Sequence, residues 1–242
     1  MLRFLLLITA LLVIGFTALV SIQDSPYLIN GMTQADISAM FSTSVTPSGM
    51  TFAIWSLIYS SWILAGVYIA FFQKWTKPIT RLSSGAIWTF SLAIFLTAVW
   101  LIPWGYMWIG TALLVMVAIL SLLLSTFFHT RKANVIVRSS IDISLGWIIM
   151  ATALNITVWI LSLGFTFGAS WDLYYAIFAL GLLLLIVSWF QCRYRAYIIS
   201  LVFLWTLLGE WIAHPVLEQR VAVGIFAVVT IVNMTYSYYK KK

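Results

Sequence analysis

Charge is what this chain has least of. Only 8% of its 242 residues are Asp, Glu, Lys or Arg, against about a quarter in a soluble domain. So few charges cannot coat a water-facing surface of this size, which leaves lipid as the solvent for most of it. Cysteine is limited to Cys192, and a lone thiol excludes an intramolecular disulfide. It lies beside Arg193 at an expected helix end, where it reads as an inert juxtamembrane thiol, with palmitoylation as the alternative. The two histidines, His129 and His214, fall at opposite ends of the expected helices, so they cannot share a metal, and no metal site is expected. There is no P-loop and no soluble-enzyme signature. No lysine lies inside an apolar run, which excludes a retinal Schiff base. A net charge of +7 would suggest nucleic acid in a soluble protein. Here the basic residues sit in short loops, and no nucleic-acid partner is expected.

What the chain has is apolar length. Apolar residues make up 63% of it. In lipid, backbone polar groups must be paired within the protein, so spans are helices or a closed barrel. Barrel strands alternate over about ten residues, whereas runs such as Leu113–Phe128 and Leu180–Phe190 do not. The expected fold is therefore an all-α integral membrane protein. At about 20 residues per crossing, eight spans are read: Phe4–Ile22, Thr51–Phe72, Gly85–Trp104, Tyr106–Phe128, Ile143–Leu163, Leu173–Gln191, Ala196–Ile212 and Val221–Tyr239. Residues 1–22 are read as a retained helix rather than a secretory signal, because the apolar run is long and the cleavage pattern poor.

The short loops test this count. Lys and Arg are retained on the cytoplasmic side. Arg3, Lys74, Lys77, Arg81, Arg131, Lys132, Arg138, Arg193, Arg195, Lys240, Lys241 and Lys242 all fall at one end of the spans. Asp24, Asp36, Asp172 and Glu218 fall at the other, with Arg220 as the basic exception. The expectation is a multi-pass plasma-membrane protein with both termini cytoplasmic. The one long loop, residues 23–50, lies on the outer side. Within it, Thr33 with Asp36 three residues on resembles a helix N-cap before Ile37, Met40 and Phe41, as in a short amphipathic helix over the bundle mouth. Glu210 is read as the one acid within a span, and an ion pair with Arg220 at the outer interface is expected. An ion-coupling role is the alternative reading of such an acid.

Thirteen tryptophans are present. Trp75, Trp104, Trp108, Trp171, Trp189 and Trp211 fall at span ends and read as interfacial anchors. Others share helix faces. Trp55, Tyr59 and Trp62 recur at i, i+4, i+7; Thr97, Trp100 and Trp104 at i, i+3, i+7; Trp147, Ala151 and Asn155 at i, i+4, i+8. Two readings fit: aromatic helix packing with Asn155 as interhelical glue, or a flat apolar cavity walled by indoles.

These residues carry a family resemblance. Trp147-Ile-Ile-Met-Ala151-Thr-Ala-Leu154-Asn155 resembles the fifth-helix pattern of the tryptophan-rich sensory or translocator (TspO/MBR) proteins at every defined position. Thr46–Tyr59 is similar to the family's entry into its second helix, and Leu96-Thr97-Ala-Val-Trp100 to its third-helix Leu-Asn-x-x-Trp. The chain departs from the pattern at several places. Pro47 stands without a second proline, Phe52 and Trp55 are one residue closer than usual, and Thr97 replaces the asparagine. Asp142-Ile-Ser-Leu precedes the fifth-helix tryptophan. The resemblance covers residues 1–165, a five-helix unit, and leaves residues 166–242 as three additional helices and a basic tail.

The resemblance implies a binding or sensory protein for a planar hydrophobic ligand, a tetrapyrrole such as porphyrin or a sterol-like molecule. No covalent cofactor is implied, and a homodimer is. Its ligand residues would be Trp55, Tyr59, Thr97, Trp100, Trp147, Ala151, Leu154 and Asn155. Light-dependent porphyrin oxidation through Trp55 and Trp147, or transport of a small solute, are the alternatives. The span boundaries, however, set Trp55 and Trp147 near opposite ends of their helices, roughly 15–20 Å apart in depth. The rings meet only if the fifth span starts near Val135, with Arg138 reaching the interface.

Overall fold

The computed structural model describes residues 2–22, 25–166 and 168–240. Asp24, Lys241 and Lys242, assigned above to the loops and tail, lie outside the described residues. The described chain is α-helical without strands: α1 (Leu5–Ser21), α2 (Gln34–Met40), α3 (Ile54–Val67), α4 (Ser84–Gly105), α5 (Ile109–His129), α6 (Val135–Ser162), α7 (Ala169–Tyr194), α8 (Tyr197–Ala213) and α9 (Leu217–Tyr239). Seven helices are long and apolar enough to cross a bilayer, and α8 is a shorter apolar eighth. Only α2 is too short to span. The protein is thus an all-α, multi-span membrane protein of about eight crossings.

Five helices close a ring in the order α1, α3, α6, α5, α4. The other three, α7, α8 and α9, pack on one another and join the ring chiefly where α8 meets α6. Apolar burial cannot drive helices together in lipid, so small and polar residues at contacts do more of that work. Gly66 of α3 is one such residue: a Cβ there would lie 2.8 Å from Leu7 Cα on α1. Between α3 and α6, Ser61 Oγ meets Ser140 Oγ at 3.0 Å and Trp62 Nε1 donates to Ser144 Oγ at 2.8 Å. Gly146 lets Val202 of α8 approach to 3.1 Å of its would-be Cβ. With neighbours on three sides, α6 is the most buried span. The outer faces carry exposed side chains such as Leu114, Phe178, Leu185 and Ile231, as lipid contact requires.

The ends of the helices keep the charge segregation. The basic residues of the α3–α4, α5–α6 and α7–α8 connections share one end with both described termini, because the spans alternate. Several boundaries differ from expectation, and α7 and α9 each start four residues early, at Ala169 and Leu217. The α4–α5 hairpin turns at Tyr106–Trp108, where Met107 takes φ +58°, so α5 starts at Ile109 rather than Tyr106. The largest difference is α6, which starts at Val135 rather than Ile143. Arg138 and Asp142 broke the apolar run in the sequence but are one helical turn apart. Arg138 Nε lies 2.9 Å from one Asp142 oxygen and 3.1 Å from the other. Its Nη1 donates to Phe127 O at 3.0 Å, and its guanidinium covers the Phe127 ring at 3.8 Å. Arg138 is therefore no loop residue, and its guanidinium turns onto Asp142 and Phe127. Asp142 lies two turns inside α6, correcting the reading of Glu210 as the only acid within a span.

At the opposite end, α2 lies across the ring. The Thr33 side chain accepts from Asp36 N, while Thr33 N donates to Asp36 Oδ2 at 2.8 Å, a complete capping box. Those donors hold the Asp36 carboxyl below the usual carboxylate range. Ile37 of α2 is buried against Trp104, Ile109, Ala112 and Val158, a small apolar cluster that seats this helix on α4, α5 and α6.

Candidate functional site

Beneath α2 and inside the ring lies a cavity of about 660 Å³, within the range of small-molecule sites. All eight residues singled out in the sequence, Trp55, Tyr59, Thr97, Trp100, Trp147, Ala151, Leu154 and Asn155, line it. The starting point of α6 brings them together. Twelve residues separate Val135 from Trp147, about 18 Å along the axis, so Trp147 sits mid-membrane instead of at the basic end. The Trp55 and Trp147 ring centroids are 6.3 Å apart and edge to face. The expected depth difference does not exist.

The short spacing from Phe52 to Trp55 also has a structural reason. Gly49–Ala53 form a 3₁₀ turn that runs directly into α3, and residues three apart share a face in either kind of helix. Phe52 therefore shares the inward side with Trp55, and its ring meets Trp147 at 5.8 Å. On α4, Trp100 stacks on Trp104 at 4.9 Å and 29°, and Trp100 Nε1 donates to Asn155 Oδ1 at 3.1 Å. Asn155 Nδ2 returns to Ala151 O at 2.9 Å. The amide thus ties α4 to α6 while standing on the cavity wall. Trp104 is a correction: it is 3% exposed and lines the cavity. Its spacing from Thr97 and Trp100 carried the signal, and its place at the span end masked it. Trp108, Trp75, Trp171, Trp189 and Trp211 are exposed as interfacial anchors should be.

Two indole N–H groups on this wall, Trp104 Nε1 and Trp147 Nε1, are buried without a hydrogen-bond partner among the described residues. Buried donors are paired in the great majority of cases.

Three further segments complete the wall, the first of them the loop read above as lying over the bundle mouth. One comes from α2 and the following loop, including Gln34, Ser38, Val45 and Pro47. The others come from α7 and α8: Leu180, Leu183, Thr206 and Glu210. Glu210 is 1% exposed, and the expected pair with Arg220 is absent. Arg220 Nε donates to His214 O at 3.1 Å and its guanidinium lies over Trp211. His214 Nε2 stands 3.5 Å from Glu210 Oε2 instead.

The helices beyond the ring also hold the loop that roofs the cavity. Asp172 of α7 accepts from Ser44 N at 2.9 Å and Ser44 Oγ at 2.8 Å. Gly209 O of α8 accepts from Ser48 N at 3.2 Å. Gln219 of α9 donates to Ser44 O at 2.7 Å, and Trp205 Nε1 to Thr51 O at 2.8 Å. Hydrogen bonds to a charged group contribute about 1.5–3 kcal/mol. Asp172→Ala is accordingly expected to speed amide hydrogen exchange at Ser44 about tenfold or more. An unchanged Ser44 rate would show that the roof is held without α7.

With the geometry set out, comparison with known proteins is informative. The family model for TSPO-like proteins matches residues 3–238. The chain belongs to the TSPO-like family. Searches of curated proteins and of solved structures returned no match. The family match runs through α7, α8 and α9, well past the stretch that carries the resemblance in sequence. This TSPO-like protein is, at the level its family supports, a membrane sensory or binding protein. Its ring encloses the cavity, α7 and α8 complete the wall, and α7, α8 and α9 tether the roof.

Proposed function

We propose that this TSPO-like protein binds a planar hydrophobic ligand, a tetrapyrrole or a sterol-like molecule, in the cavity inside the ring, with the basic end of the bundle in the cytoplasm. The carrying observation is the convergence of Trp55, Trp100, Trp104 and Trp147, from three helices, on one space of about 660 Å³. Flat rings suit such a wall. Aromatic pairs contribute about 0.5–1.5 kcal/mol beyond area burial.

Titration with a porphyrin lacking ionised side groups tests this. Trp147→Phe keeps a ring but removes indole area and its N–H. It is expected to weaken binding about three- to tenfold. Affinity equal to wild type would reject this wall as the binding surface. Illuminating the same complex and following porphyrin absorbance separates binding from photo-degradation: a stable spectrum is the expected result.

A further inference from the structure

The acid on the cavity wall restricts what the ligand can be. Glu210 is 1% exposed and its neighbours leave it under-served. Gln219 Nε2 approaches to 3.4 Å and His214 Nε2 to 3.5 Å, both long for hydrogen bonds. Each donor also makes a shorter contact elsewhere, which leaves Glu210 only the second Gln219 amide hydrogen, at that long distance. Gln219 Nε2 donates to Ser44 O at 2.7 Å. His214 Nε2 lies 3.0 Å from Thr46 O, and a carbonyl only accepts, so the ring hydrogen points there. A carboxylate has about four acceptor positions, and the protein fills them poorly.

No cation of the chain compensates. Arg220, the nearest in sequence, is spent on His214 O and Trp211. On α7, the facing charged group is another acid, Asp172, held by Ser44. Among the described residues lining the cavity, the ionisable ones are Glu210 and Tyr59, with no lysine or arginine. A carboxylate without a cation or a full set of donors is costly away from water. An incoming ammonium or N–H donor would relieve that cost through a charge-assisted bond, whereas a ligand carboxylate would meet an acid and no cation.

We infer that Glu210 makes this a site for planar apolar ligands bearing a cationic amine or N–H donor, and that it rejects ligands bearing carboxylates. The inference rests on the cavity being a ligand site, as proposed above. It adds a selectivity that the aromatic wall alone would not give.

Three matched probes test it: pyrene, pyrenylmethylamine and pyrenecarboxylic acid, followed by energy transfer from indole in non-ionic micelles. Wild type is expected to bind the amine about tenfold or more tightly than pyrene, and the acid more weakly than pyrene. Glu210→Gln should bring the amine to the affinity that the same variant shows for pyrene. Comparing wild type with variant in the same micelles cancels probe partitioning. An amine preference that is absent from wild type, or that survives Glu210→Gln, overturns the inference. If the variant fails to fold, the wild-type order decides: amine, then pyrene, then acid supports it, and any other order overturns it. Should none of the three bind, the cavity reading itself fails; equal binding of all three removes only the role given to Glu210.

Discussion

Ala151→Trp is expected to abolish high-affinity binding of a planar ligand while leaving the bundle folded. Ala151 lies on α6 one turn after Trp147 and one turn before Asn155, and it lines the cavity. An indole at this position projects into the space a ligand needs, between walls that are already aromatic. The ligand then loses several ring contacts at about 0.5–1.5 kcal/mol each, together with apolar burial. A loss of about 3 kcal/mol, roughly 150-fold in Kd, is the expected size. Overpacking a dense core costs about 1–3 kcal/mol, but here the new side chain enters a void, so helicity and elution volume should match wild type. Leu114→Trp, on an exposed position of α5, adds the same indole toward lipid and should leave affinity unchanged. Wild-type affinity in Ala151→Trp would mean that ligands bind elsewhere.

Arg138→Met is expected to destabilise the protein by about 3 kcal/mol. The Arg138 and Asp142 side chains are 16% and 7% exposed, and Arg138 also reaches across to Phe127 of α5. Removing the cation leaves Asp142 buried within the bundle with no compensating charge, which is the expensive way to break such a pair. Arg138→Met/Asp142→Leu removes both charges and is expected to recover most of the loss. Denaturation in mixed micelles measures the difference. A single variant as stable as wild type, or a double variant less stable than Arg138→Met, would show that the pair does not set the start of α6. This matters for the site as well as for stability, because the start of α6 fixes the depth of Trp147.

The sequence makes some of this architecture readable and hides the rest for identifiable reasons. The spans are legible because lipid demands uninterrupted apolar length, and the alternation of basic loops fixes their number. The faces carrying Trp55, Trp100 and Trp147 are legible because helical spacing needs no tertiary information. The start of α6 is not. Arg138 and Asp142 read individually as charges that must leave the membrane, and only their mutual contact, with Phe127 covering the guanidinium, lets them stay. Trp104 has the same obstacle: an indole at a span end points to headgroups unless another element covers it, and α2 covers it through Ile37. The absent Glu210–Arg220 pair follows from local geometry. The turn at Pro215 presents His214 O to Arg220 first. That α7, α8 and α9 hold the roof through Asp172, Gly209 and Gln219 depends on long-range contacts that no local pattern encodes.

The account turns on Trp55 and Trp147 walling one cavity that a ligand enters. Photo-crosslinking with a pyrene carrying a diazirine, competed by excess pyrene and read by peptide mass spectrometry, tests this directly. The predicted adducts lie on inward residues of the 49–59, 97–104 and 147–155 segments and vanish under competition. Adducts confined to outward residues such as Leu114, Phe178 and Leu185, and insensitive to competition, would contradict it.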